Sequence, residues 1–171
     1  MSSEFLKTIF QKVDKDANEY ITVEELHQAL SNGSWTPFNP ETVRLMVGMF
    51  DTDRSGTIKF EEFSSLWKYI TDWQTTFRTY DRDNSGSIDR HELKMALSSF
   101  GYRLTDQFYE SLVKRFGRSE GDSVAFDDFI QCACTIQKMT NKFQAYDINR
   151  TGGIDIEYEP FLTLVFSFRN M

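Results

Sequence analysis

Five times along this chain, two apolar residues spaced i, i+3 lead into a short polar stretch, and a second apolar run follows it. The leading pairs are Phe10 and Val13, Val47 and Phe50, Phe77 and Tyr80, Val113 and Phe116, and Phe143 and Tyr146. This spacing lays each pair on one face of a helix that enters the polar stretch. Exiting helices start at Glu25-Leu26, Glu62-Phe63, Glu92-Leu93, Asp128-Phe129 and Tyr158 to Phe161. Each polar stretch holds one branched apolar residue: Ile21, Ile58, Ile88, Val124 or Ile154. β-branched residues there suit a short antiparallel strand joining neighbouring loops. The pattern predicts an all-α chain of repeated helix–loop–helix units with short paired loop strands.

The period sharpens this. Numbering each loop from its first polar residue puts position 1 at Asp14, Asp51, Asp81, Gly117 and Asp147, so the gaps are 37, 30, 36 and 30 residues. A gap of 30 leaves no room for two helices and a linker. The helix leaving loop two, about 61–80, must therefore enter loop three, and about 126–146 must do the same for loops four and five. Roughly eight helices result, two of them long. The wider gaps contain breakers: Gly33 and Ser34 through Pro37 and Pro40, then Gly101 and Thr105. Asn39 before Pro40 reads as a helix N-cap followed by proline in the first turn. Thr22 with Glu25 has the spacing of a capping box. The reading is one domain over 1–171, with units at about 4–32, 41–70, 71–100, 107–136 and 137–168.

Loop three carries the clearest chemistry. A Ca²⁺ ion takes six to eight oxygens at about 2.3–2.6 Å, supplied by positions 1, 3, 5, 7, 9 and 12 of a twelve-residue loop. Those positions are Asp81, Asp83, Ser85, the Ser87 carbonyl, Asp89 and Glu92, with Gly86 at the sharp turn of position 6. Loop two offers Asp51, Asp53, Ser55, the Thr57 carbonyl and Glu62, but places Lys59 at position 9, where a cation should weaken the site. Loop one offers Asp14, Asp16, Asn18, the Tyr20 carbonyl and Glu25, with Glu19 at the turn instead of glycine. A positive φ costs a residue with Cβ about 1–2 kcal/mol, so this site should bind in strained form. Loop four has Gly117 at position 1 and Asp122 at position 6, and no ion is expected there. Loop five has Asp147, Asn149 and Thr151, but Tyr158 stands where the bidentate carboxylate belongs. It should hold Ca²⁺ weakly, or Mg²⁺.

Composition supports this reading and excludes others. In 171 residues, sixteen Phe and an apolar fraction of 40% can fill a core. The net charge of −7 argues against nucleic-acid backbones and suits cation binding. No apolar run reaches the roughly twenty residues of a membrane span. The start has neither a signal-peptide pattern nor a glycine for myristoylation. Cys132 and Cys134 read as reduced core or surface thiols of a cytoplasmic protein, not a disulfide. His27 and His91 read as surface residues, with no nucleophile–base set around them. An odd fifth unit cannot pair within one chain. Its apolar helix, with Phe161, Leu162, Leu164, Val165 and Phe166, is expected to pair with a second chain.

Four segments carry a family resemblance: 29–40 (Ala-Leu-Ser-Asn-Gly-Ser-Trp-Thr-Pro-Phe-Asn-Pro), 66–74 (Leu-Trp-Lys-Tyr-Ile-Thr-Asp-Trp-Gln), 77–86 (Phe-Arg-Thr-Tyr-Asp-Arg-Asp-Asn-Ser-Gly) and 100–104 (Phe-Gly-Tyr-Arg-Leu). Through them the chain resembles group I of the penta-EF-hand proteins over essentially its whole length. The resemblance implies a Ca²⁺-dependent adaptor without catalytic activity, forming a homodimer or heterodimer through the fifth hand. It also implies binding to Pro-rich segments of membrane-trafficking proteins, of the kind found in an ESCRT-associated adaptor, the coat of ER export vesicles and annexins. Recruitment to ER exit sites or endosomal membranes on a calcium rise would follow. Arg103 matches the family's calcium-moved switch, and Phe63, Trp67, Ile70, Trp73, Phe100 and Tyr158 match its peptide pocket, with Trp35 nearby. From spacing alone, Trp67, Ile70 and Trp73 fit a core stripe as well as a pocket. A calcium buffer and a regulatory subunit of a heterodimer remain alternatives. The chain departs from the family at Glu19, in its intact loop two, and in the near absence of a Gly/Pro-rich N-terminal extension.

Overall fold

The computed structural model describes residues 3–30, 37–118 and 122–167. It contains α1 (Ser3–Val13), α2 (Val23–Ala29), α3 (Pro40–Phe50), α4 (Phe60–Tyr80), β1 (Ser87–Asp89), α5 (Arg90–Ser99), α6 (Asp106–Phe116), β2 (Ser123–Ala125), α7 (Phe126–Tyr146) and α8 (Tyr158–Phe166). The two long helices expected from the 30-residue gaps are α4 and α7, each of 21 residues. The chain forms two compact units, 1–131 and 132–171, and the boundary falls inside α7. Gly33, Ser34 and Trp35 lie outside the described residues.

Local signals set the helix ends in the first unit. Thr22 and Glu25 form the reciprocal capping box at α2. Asn39 accepts from the Glu41 N–H at 2.9 Å, with Pro40 opening α3. Asp89 caps α5 and Thr105 caps α6. Gly101, at φ 92°, turns the chain after α5 and lets the Tyr102 N–H reach the Leu97 carbonyl at 3.0 Å. That left-handed conformation is one glycine adopts without steric cost.

Paired loops then bring the helices together. Ile21 and Ile58 exchange backbone hydrogen bonds of 2.9 and 2.8 Å between loops one and two. Loops three and four pair through β1 and β2 in antiparallel register: Ser87 with Ala125, Ile88 with Val124, and Asp89 with Ser123. The branched residues Ile21, Ile58, Ile88 and Val124 are each 0% exposed, so each pairing also forms part of the core. Ile154 pairs with nothing among the described residues and is half-exposed. Aromatic edges complete the packing. The Phe10 ring lies 5.7 Å from Phe60 and 5.4 Å from Phe63, and Phe77 lies 5.3 Å from Phe126 and 5.7 Å from Phe129. Edge-to-face pairs of this kind add about 0.5–1.5 kcal/mol beyond area burial.

His27 departs from its expected surface role. It is half-buried, and its Nε2 lies 2.9 Å from the Phe38 carbonyl, so it joins α2 to the segment before α3. His91 is exposed as expected.

The second unit comprises the C-terminal part of α7, loop five and α8. Cys132 and Cys134 form no disulfide and are buried, so the thiols are core residues. Burial pushes the Cys132 thiol up to about 12. α8 buries none of its residues, although Lys142 Nζ donates to Ser167 Oγ at its end, at 2.8 Å.

Phe129 is 0% exposed and packs on Trp73 and Phe77. Phe129→Ala should cost about 3–5 kcal/mol in urea unfolding, whereas Phe108→Ala on the exposed face of α6 should stay within about 0.5 kcal/mol.

Candidate metal centres

Loop three is built by its own acids before any ion is considered. Asp81 Oδ1 accepts the Ser85 N–H at 2.9 Å and Oδ2 accepts the Gly86 N–H at 3.0 Å. Asp83 Oδ1 takes the same Ser85 N–H at 3.0 Å, and Ser85 Oγ donates to the Ser87 carbonyl at 3.0 Å. Glu92 closes the ring. Its Oε1 accepts the Arg82 N–H at 2.8 Å and its Oε2 accepts the Asp89 N–H at 3.1 Å. Asp89 returns a bond through Oδ1 to the Glu92 N–H at 2.8 Å, so it serves as helix cap and candidate ligand together. The carboxylate of position 12 thus lies at the N-terminus of α5, where the helix dipole favours negative charge.

The residues fit a calcium ion. One oxygen from each of Asp81, Asp83 and Glu92 lies within 4.8 Å of the others. Ligands around one Ca²⁺ at about 2.3–2.6 Å can be at most about 5 Å apart. Asp81 and Glu92 are only 8% and 6% exposed. Buried carboxylates this close need a partner charge, and an ion held between them supplies it.

Loop two repeats the scaffold. Ser55 N–H donates to Asp51 Oδ1 at 2.9 Å, Gly56 N–H to Asp51 Oδ2 at 2.8 Å, and Thr52 N–H to Glu62 Oε1 at 2.8 Å. Asp51, Asp53 and Glu62 form a second close cluster. The difference is Lys59, whose ammonium is paired directly with Asp53. That contact, followed by the Ser55 hydroxyl, holds the Asp53 carboxyl down at about 2. A metal must displace an internal cation here.

Loop one keeps the geometry at a backbone cost. Asp14, Asp16 and Glu25 cluster as in the other two loops. Asp14 accepts the Asn18 N–H at 3.1 Å and the Glu19 N–H at 3.0 Å. Glu19 takes φ 69°, close to the 79° and 80° of Gly56 and Gly86, so the expected strain is present. The Thr22 backbone N–H is the main group holding the Glu25 carboxyl below its usual range. In Asp83 the Ser85 hydroxyl does so. In Glu62, burial pushes upward, but bonds from Thr52 and the Lys59 N–H outweigh it. These three carboxylates are therefore ready for a metal at neutral pH.

Loop five shares the front half of this scaffold. Asp147 accepts the Thr151 and Gly152 N–H groups, each at 2.9 Å, and Gly152 has φ 79°. Tyr158 gives it no closing carboxylate and is 77% exposed. Loop four has neither a first-position acid nor an acidic cluster among its described residues. Its Asp127 and Asp128 are paired with Arg118. Spacing within the loop does not reveal that pairing, because it is completed by Asn39, 88 and 89 residues away in the chain.

The pocket residues are divided. Phe63 and Ile70 are in the core, at 1% and 8% exposed. Trp67 and Trp73 are half-buried on α4, and Phe100 is 43% exposed with its ring 5.8 Å from Trp73. The Trp67 indole N–H is shielded from solvent and has no acceptor, a feature that helical spacing does not signal. Arg103 is exposed in the α5–α6 linker. Tyr158 lies in the second unit, and Trp35 falls outside the described residues.

The EF-hand domain pair family matches residues 3–68 and 70–133. The chain is 50% identical to a sorcin of Schistosoma japonicum, over 98% of this chain and 97% of that protein. It is 44% identical to human peflin over 92% of its own length but only 56% of peflin's, and so spans about half of that relative. A solved structure, described as a homolog of programmed cell death 6 protein from Leishmania major, superposes with a TM-score of 0.82 at 33% identity, covering 96% of this chain and 94% of that one.

Two substitutions separate the loops by calorimetric calcium titration. Glu19→Gly relieves a strained φ and should tighten loop one about tenfold, the equivalent of 1–2 kcal/mol. Lys59→Ser removes the competing ammonium and should tighten loop two by at least about threefold, with loop three unchanged.

Proposed function

The chain belongs to the penta-EF-hand family of calcium-binding proteins and is not an enzyme, and from that premise we propose that it is a calcium-switched adaptor for Pro-rich segments of membrane-trafficking proteins. The observation that carries this reading is α4. It starts beside one set of ligands, with Glu62 on its first turn, and ends against another at Asp81. Between them it bears Trp67, Tyr69 and Trp73, all half-buried. Trp73 meets Tyr69 at 6.0 Å and Phe100 at 5.8 Å, edge to face. Aromatic-lined grooves are how polyproline segments are recognised. The unpaired Trp67 N–H, shielded in this arrangement, becomes a donor for an incoming carbonyl once the groove opens.

Calcium shifts such a protein only by binding one arrangement better than the other. Tightening of loops two and three pulls on both ends of α4. Movement of Arg103 and the linker after α5 then uncovers the stripe, drawing Phe63 and Ile70 toward its floor. Because both are core residues here, opening the groove is the step that requires calcium energy.

The fifth hand supports assembly. Phe161, Val165 and Phe166 on α8 are 46%, 41% and 53% exposed. An apolar helix face left this open suits burial against a second copy or a related chain. Loop five, without its closing carboxylate, would hold Mg²⁺ or weak Ca²⁺ at that junction. Calcium-driven recruitment to ER exit sites or endosomal membranes belongs to the same reading. The exposed α8 face also favours a second reading, a regulatory subunit that pairs with a different chain.

Capture on an immobilised Pro-rich peptide should require calcium and vanish with chelator. Glu92→Gln should lower capture at least about tenfold by removing a bidentate ligand, and Trp73→Ala should abolish it without changing calcium uptake. Equal capture with and without calcium would refute the switch. In sedimentation, Phe161→Asp with Phe166→Asp should convert a dimer to a monomer. A wild-type chain that is already monomeric, and dimerises only when a related chain is added, would favour the regulatory-subunit reading.

A further inference from the structure

The fourth loop lacks the metal-binding pattern, yet its closing acids are the most deeply buried charges among the described residues of the first unit. Asp127 and Asp128 are 0% and 1% exposed. Two adjacent carboxylates at that depth are very unfavourable unless their charge is met. Arg118, at position 2 of the loop, meets it. Its Nε donates to Asp128 Oδ2 at 2.5 Å and its Nη2 to Asp127 Oδ2. Asn39 supplies further donors, from its backbone N–H to Asp127 at 2.5 Å and from Nδ2 to Asp128 Oδ1 at 2.8 Å. Thr42 Oγ1 reaches the Asp127 carbonyl at 3.3 Å, and Arg118 Nη1 reaches the Pro37 carbonyl at 3.4 Å.

The comparison with the working loops is direct. In loops one, two and three the closing glutamate accepts the backbone N–H of position 2, from Lys15, Thr52 and Arg82, at 3.0, 2.8 and 2.8 Å. In loop four the same chain position contributes its side chain instead, and that side chain is a cation. A guanidinium is a permanent charge with a planar fork, suited to bridging two carboxylates.

We propose that Arg118 is the resident cation between the two ends of the fourth loop, a positioning residue that holds those ends together at all calcium concentrations and thereby sets the calcium affinity of loops two and three. Two routes leave the cluster. β2, just before Asp127, pairs with β1, which carries positions 7 to 9 of loop three. Asn39 caps α3, and α3 runs to Phe50, next to the first ligand of loop two. Loop three thus folds around its ion against a partner already fixed, and the entry to loop two is fixed by the same four groups. Loop one stands one step further from the cluster, reached through the Ile21–Ile58 pairing with loop two and through His27 on the Phe38 carbonyl.

The test compares Arg118→Gln and Arg118→Lys with the unaltered chain, by amide hydrogen exchange in chelator and by calcium titration followed at the Glu19, Gly56 and Gly86 amides. Arg118→Gln should speed exchange at Val43 and Val124 by about tenfold or more without any metal. It should weaken loops two and three by at least about threefold and loop one by less, because loop one is coupled to the cluster only through its neighbours. Arg118→Lys should fall between, because a point charge cannot bridge both acids. A lowered unfolding temperature with unchanged exchange at Val124 and superimposable loop-three titration would overturn the proposal, leaving Arg118 as core packing. If Arg118→Gln does not fold, Asp127→Asn retains the shape and one ion pair. It should show the same pattern at smaller amplitude, and unaltered exchange and affinity in it would equally overturn the proposal.

Discussion

Each working loop depends on one carboxylate binding both ends of a twelve-residue ring. Glu25, Glu62 and Glu92 each accept a backbone N–H from position 2 with one oxygen and from position 9 with the other. That single residue closes the loop, begins the exiting helix and presents itself to the ion. A bidentate ligand at position 12 is what calcium geometry requires. The same residue is the third of its helix, so loop closure and helix position cannot change independently. Coupling between ion and fold follows from this shared role.

The hands differ in how that closure is completed. Loop three has every element in place. Loop two carries a competing ammonium, and loop one forces Glu19 into a left-handed backbone. Loop five keeps the front half of the ring and lacks the glutamate. Loop four sets the Arg118 guanidinium against its closing acids. Five copies of one device thus differ in how the ring is completed, and β1–β2 pairs a loop with an acidic cluster to one whose closing acids meet an arginine.

Much of this is legible in the sequence because its determinants are local. The alternating gaps require α4 and α7 to be shared helices, and Phe77 marks the buried face of α4, whereas Phe143 and Tyr146 of α7 stay half-buried and exposed, respectively. Thr22 with Glu25 announces the cap of α2, and Asn39 with Pro40 that of α3. Ligand positions follow from fixed spacing, so the three acidic clusters fall where the loops place them. What cannot be read depends on contacts distant in sequence. Asn39 meets Asp127 and Asp128 only after the linkers fold, and His27 finds the Phe38 carbonyl only then. Lys59 reads as a weakened ligand position, but its pairing with Asp53 requires the loop to curl. A stripe such as Phe63, Trp67, Ile70 and Trp73 has one spacing whether it is core or groove. Its division into buried and half-open residues is a property of what packs over it.

α4 has a further consequence through its length. Twenty-one residues at 1.5 Å each make a rod about 31 Å long. A tilt of about five degrees about its first turn carries its last turn sideways by about 3 Å, roughly half of one helical pitch. The rod therefore acts as a lever arm: sub-ångström adjustment around one ion becomes a displacement large enough to pull one aromatic ring away from its neighbour.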